Sequence, residues 1–170
     1  MSRWVATGAL LAGLMVTEVV MALPAELANL RPLGQGNLRW FGFKLYDATL
    51  YTQQGQAFDW ARPFALSLRY ARDIPSAKIV QVSLEEMQRY GLPENRRASW
   101  RDTLAAAIPD VQQGDEIVGA FDGNSLRFWH NGRHTRTVDD PLLARTFFRI
   151  WLDPASRAPA LREQLLNGRG

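Results

Sequence analysis

Arg39-Trp40-Phe41-Gly42-Phe43-Lys44-Leu45-Tyr46-Asp47-Ala48-Thr49-Leu50-Tyr51 is the stretch on which the reading of this chain turns. Its aromatic and β-branched content predicts a strand, running from Leu38 to Thr52 with a bulge at Gly42. A strand with one wet face alternates apolar and polar residues with period two. Here Trp40, Tyr46, Ala48 and Leu50 fall on one parity, and Phe41, Phe43, Leu45 and Tyr51 on the other. Both faces therefore need cover, from helices on one side and another layer on the other. Arg39, Lys44 and Asp47 interrupt the run, which is compatible with a sheet face enclosing a partly polar pocket.

Upstream, residues 23–36 read as a lead-in with a short strand around Leu27–Leu33. Downstream, Gln53–Pro63 is a polar turn region, and Phe64–Tyr70 alternates with Phe64, Leu66, Leu68 and Tyr70 inward. Ser76 is expected to N-cap a helix whose apolar face is Ile79, Val80, Ser83, Leu84 and Met87, ending near Gly91. A second helix is expected over Glu94–Ala107. Three short strands follow (116–121, 125–130, 133–138), joined at Asp122-Gly123-Asn124 and Asn131-Gly132. Asp140-Pro141 opens a helix striped with Leu142, Leu143, Thr146, Phe147, Ile150 and Trp151, and a last helix spans about 158–166. The order is two long strands, two helices, a three-strand meander and two helices. That is α+β, with helices gathered on one side of an antiparallel sheet.

The chain has 170 residues and a net charge of +3, almost all of its basicity being arginine: Lys44 and Lys78 are the only lysines. The arginines are scattered, whereas nucleic-acid binders gather theirs on one element, so no nucleic-acid partner is expected. Met1-Ser2-Arg3, the apolar run Trp4–Val16 and the small residues before the 22/23 bond have the form of a secretory leader, cleaved after Ala22. Residues 23–170 then form one domain, periplasmic or secreted. The apolar run is shorter than the roughly 20 residues a bilayer span needs, and no later segment reaches that length. There is no cysteine, which excludes disulfides, thiol nucleophiles and lipidation at cysteine.

Motifs for chemistry are sparse. His130 and His134 flank a turn without the further ligands a metal needs, so they read as exposed turn histidines and no metal is expected. There is no Gly-x-Ser-x-Gly or Ser-x-x-Lys run. Gly34-Gln35-Gly36 leads into a strand, not the helix a phosphate loop requires, and no cofactor is expected. Arg39 is the candidate anchor for a carboxylate or phenolate, with Trp40, Phe43, Tyr46 and Tyr70 as candidate walls. On a regular strand Arg39 and Tyr46 point to opposite faces, and only a bulge such as one at Gly42 would unite them.

Six runs in order, Gly36–Tyr51, Phe64–Pro75, Ser83–Met87, Pro109–Asp115, Phe128–Gly132 and Asp140–Asp153, resemble the chalcone isomerase-like proteins, and most of all their exported bacterial branch. The resemblance covers about residues 30–167. It implies an open-faced β-sandwich in which helices layer an antiparallel sheet around a ligand cleft. It also implies either intramolecular lyase (isomerase) chemistry, as in the plant enzymes, or fatty-acid binding without catalysis. The enzyme's polar positions correspond poorly here: Arg39 is the nearest arginine, Tyr46 stands for a threonine, and Pro75 and Val82 fall near a tyrosine and an asparagine. Proline and valine side chains cannot donate the hydrogen bonds that chemistry needs. The expectation is therefore an exported, non-catalytic protein that binds a small apolar or lipid-like carboxylate between sheet and helices. The alternatives are an isomerase acting on another substrate and an envelope protein-interaction module without ligand.

Overall fold

The computed structural model describes residues 22–167, so the leader expected over residues 1–22 lies, Ala22 apart, outside them. Among the described residues six strands form one antiparallel meander: β1 (Leu30–Trp40), β2 (Phe43–Gln53), β3 (Phe64–Tyr70), β4 (Glu116–Phe121), β5 (Leu126–His130) and β6 (Arg133–Val138). Helices α1 (Ser76–Gln88) and α2 (Arg97–Ala107) follow β3, and α3 (Pro141–Leu152) and α4 (Pro159–Asn167) follow β6. The α+β class is the one expected; the first two strands have other bounds.

The short strand expected around Leu27–Leu33 is the start of a longer one, β1, which runs on into the first three residues of the stretch read as a single strand. The chain reverses at Phe41-Gly42, and Trp40 pairs with Phe43 across a two-residue turn. Both turn residues have left-handed backbones, φ 47° at Phe41 and 80° at Gly42. That is the hairpin turn whose twist suits antiparallel strands. Gly42 thus makes a turn rather than a bulge; the bulges of this pair lie between Pro32 and Gly34 and between Leu38 and Arg39.

Two smaller expectations are also corrected. Ser76 is the first helical residue and not the cap: its N–H donates to Asp110 Oδ1 (2.7 Å) and its hydroxyl to the Ile108 carbonyl (2.5 Å). The helix expected from Glu94 begins as a 3-10 turn, Glu94–Arg96, and becomes α2 at Arg97.

Phe64, Leu66, Leu68 and Tyr70 of β3 face the helices and are buried with Leu84, Trp100, Leu104, Phe147 and Phe148. Gly119 lets α3 come close: a Cβ there would touch the Phe148 ring at 3.4 Å. At the sheet edge Gly34 has the same role for α4, since a Cβ would strike the backbone carbonyls of Gln164 and Leu165. On the opposite face Ala65, Val118, Ala120 and Trp129 pack with Leu27 and Leu30 of the lead-in. On β2 this second layer reaches only Tyr51; Phe43 and Asp47 of the same face stay exposed, so the cover expected over both faces of the strand is partial.

Asp140 holds the helical layer together. One carboxylate oxygen caps α3, accepting from the N–H groups of Leu142 and Leu143 (3.1 and 3.0 Å). The other accepts from Trp100 Nε1 of α2 (3.0 Å) and Arg96 Nη1 (3.3 Å). Asp140→Ala is expected to lower the unfolding free energy by about 2–3 kcal/mol, a lost cap plus a buried indole N–H left unsatisfied. Urea unfolding checks this, and a loss under about 0.5 kcal/mol, the scale of an ordinary surface change, would contradict it.

Asp115, Asp122 and Asp153 have depressed pKa values. Burial works to raise each one, but hydrogen bonds from backbone N–H groups and neighbouring side chains outweigh it. A carboxylate depressed in the folded state stabilises above its unfolded pKa, about 3.9, and that contribution is lost as pH falls through the folded value. Stability is therefore expected to drop below about pH 4. Asp122→Asn should make the drop shallower, and an unchanged acid slope would show that the turn carboxylate is not involved.

Candidate functional site

The five residues expected to line a pocket divide between two environments at one end of the sheet. Arg39, Trp40 and Phe43 belong to the tip of the β1–β2 hairpin. Trp40 and Phe43 are 63% and 61% exposed, and Phe41 between them 85%. Arg39 Nη1 donates to the Gly42 carbonyl of its own turn (3.2 Å) and pairs across the hairpin with Lys44. Tyr46 and Tyr70 lie further in, ring edge to ring face at 5.8 Å. The Tyr46 hydroxyl accepts a hydrogen bond from Trp151 Nε1 of α3 (3.0 Å). Burial pushes both phenols well above the usual tyrosine range; the Trp151 hydrogen bond opposes the rise at Tyr46, and Tyr46 adds to it at Tyr70. Both are neutral structural groups at physiological pH.

A second locus was not legible as a site in the sequence. The connection between β2 and β3, read as a polar turn, carries Phe58 and Trp60, which stack edge-on with Phe64 at 5.0 and 5.7 Å. Trp60 walls an open groove of about 230 Å³ whose other side is Arg145 and Arg149 of α3 and Asp153 just past its end. Arg149 is committed, with Nε to Asp153 Oδ2 (2.7 Å) and Nη1 to the Tyr90 carbonyl (3.0 Å). Arg145 lies over the Trp60 ring at 5.3 Å and has no carboxylate partner among the described residues. An aromatic wall beside an unpaired guanidinium suits the polar end of an amphipathic anion. The available signals were the Phe-x-Trp pair in the turn and the arginines four apart on one helix face.

The remaining chemistry is limited. No group of three metal-ligating side chains gathers among the described residues. His130 does have a carboxylate beside it, contrary to expectation: Asp115 Oδ2 is 3.2 Å from its Nε2. His134 turns to the Thr137 hydroxyl at 3.0 Å instead. The four positions compared with the plant enzyme sit apart in kind. Arg39 is at the hairpin tip, Tyr46 is half-buried against the core, Pro75 precedes α1, and Val82 is 43% exposed on that helix.

A family model described as chalcone isomerase-like matches residues 17–167. The chain belongs to the chalcone isomerase-like family. An uncharacterized protein of Haemophilus influenzae is 25% identical over 154 residues, covering 91% of this chain and 76% of its own length. The crystal structure of an Arabidopsis thaliana fatty-acid binding protein superposes with a TM-score of 0.65 at 14% identity, covering 82% of this chain and 87% of that one. At that identity the likeness is one of fold. It confirms the chalcone isomerase-like architecture of a sheet layered by helices. In this member the sheet–helix interior is filled by Leu66, Leu68, Trp100, Phe147, Phe148 and Trp151.

Phe41 is a residue in the wrong place for stability. A left-handed backbone is costly for a bulky side chain and cheap for asparagine, and an 85%-exposed ring gains little from the fold. Phe41→Asn is expected to raise the unfolding free energy by about 0.5–1 kcal/mol, read from denaturant midpoints. A loss of stability would mean that the ring packs on something that holds the hairpin.

Proposed function

We propose that this chain is a non-catalytic binding protein for a small apolar or lipid-like carboxylate, working outside the cytoplasm after loss of residues 1–22. The observation that carries the reading is Arg145, an unpaired guanidinium 5.3 Å above Trp60 in the groove beside α3. The carboxylate accepts the guanidinium's paired donors while the adjoining chain lies against the indole and the aromatic turn. Three things support it. The chain belongs to a family whose fold is shared by a fatty-acid binding protein. Tyr46, which stands for the enzyme's threonine, is half-buried against the core, and desolvation raises its phenol away from acid–base use. Pro75 and Val82 offer no side-chain donor. Export rests on the leader-like residues 1–22.

Protein recovered from the periplasm of its host and examined by native mass spectrometry should begin at Leu23 and carry a fatty acid or similar anion. Displacement of a fluorescent long-chain fatty acid should then be roughly tenfold to hundredfold weaker for Arg145→Ala, the usual loss for one charged hydrogen-bonding anchor. Arg39→Ala should leave it unchanged. Equal binding by wild type and Arg145→Ala would contradict the groove assignment, and a clean mass with no bound anion would count against binding.

A further inference from the structure

The hairpin tip has no part in the groove, since β2 separates them: the tip opens the strand and the Trp60 connection follows its end. Three large apolar side chains, Trp40, Phe41 and Phe43, project at a convex two-residue turn and are each more than 60% exposed. Exposed aromatics usually occur singly, and three together at one turn mark a contact surface. The turn also breaks its own local rule, because Phe41 occupies a left-handed position that asparagine or glycine would fill at lower cost. Such breaks belong at functional sites.

The charge around the tip is positive. Arg39 flanks the turn on one strand and Lys44 on the other, and the Arg72 guanidinium lies 4.9 Å over the Phe43 ring. Asp47 pairs with Lys44 at 2.7 Å, leaving the two arginines to give the tip a net positive charge. Aromatic rings with arginine and lysine at their base are what the boundary between lipid headgroups and acyl chains favours: the rings enter and the cations meet the phosphates. A protein partner fits less well, because a narrow convex turn presents little of the roughly 800 Å² per side of a standard interface.

We propose that the turn Trp40-Phe41-Gly42-Phe43 is a membrane-contact tip that inserts into an anionic bilayer surface, with Arg39 and Arg72 on the lipid phosphates. This goes beyond ligand binding in the groove and does not depend on it.

The absence of cysteine allows a single reporter to be placed at will. The test uses the full chain carrying Phe41→Cys or Asn124→Cys, labelled with a polarity-sensitive fluorophore. Position 124 is in the β4–β5 turn at the opposite end of the sheet. A local reporter is needed because the apolar run Trp4–Val16 would itself carry the full chain to vesicles. With phosphatidylglycerol vesicles the label at 41 should brighten, shift to the blue and be quenched by shallow spin-labelled lipid, while that at 124 does not. Phosphatidylcholine vesicles or high salt should largely abolish the response. Arg39→Gln and Arg72→Gln should each move its midpoint roughly fivefold to higher lipid. Equal responses at 41 and 124, or indifference to lipid charge, would overturn the proposal. So would a blue shift at 41 that grows with protein concentration without vesicles, which would make the tip an interface between copies.

Discussion

The seating of α3 on the sheet is the constraint on which the rest of this molecule depends. Phe148 lies on the bare backbone of Gly119, and Trp151 donates to the Tyr46 hydroxyl across the layer (3.0 Å). At the other end Asp140 caps the same helix and ties it to α2 through the Trp100 indole. Once α3 is fixed in this way, aromatic and aliphatic side chains fill the interface between the two layers. Buried side chains at native packing density leave a ligand little room without displacing them. Function is then expected where the layers end: beside the outer face of α3, and at the hairpin that overhangs the sheet.

Much of this architecture could be read from residue pattern alone. Strict alternation over Phe64–Tyr70 announced β3 with the correct inward face, and all four inward residues are buried. Asn131-Gly132 announced its turn because asparagine and glycine tolerate the left-handed backbone found there, φ 48° and 77°. Asp140-Pro141 announced the start of α3. The hairpin at Phe41-Gly42 escaped for the same physical reason. A bulky aromatic in a left-handed position is a poor turn former, so the stretch reads as continuous strand. Ser76 misled in the opposite sense, having the chemistry of a cap while Asp110, far along the chain, supplies the hydrogen bond instead.

The site was less legible than the fold. Arg39, Trp40 and Phe43 were singled out for composition, and they do form one feature, but it projects outward. Tyr46 and Tyr70, grouped with them, belong to the seating of α3. The groove is made by packing between a loop and a helix far apart in the chain, and Trp60 and Arg145 acquire meaning only when brought together. Side-chain type says what a residue can bind, while tertiary packing decides which residues share a ligand. In the chalcone isomerase-like fold the same sheet and helices can then serve different chemistry through the residues at their margins.

In the binding mode proposed here the interior between sheet and helices is a structural core, and ligand meets the protein at its edge. Indole N–H signals in nitrogen-15 spectra test it directly, because the tryptophans sample each region separately. On titration with a long-chain fatty acid, the Trp60 signal should move while those of Trp100 and Trp151 stay in place. A displaced Trp151 signal, with Trp60 unmoved, would mean that the Tyr46–Trp151 bond opens and that the ligand enters between the layers after all.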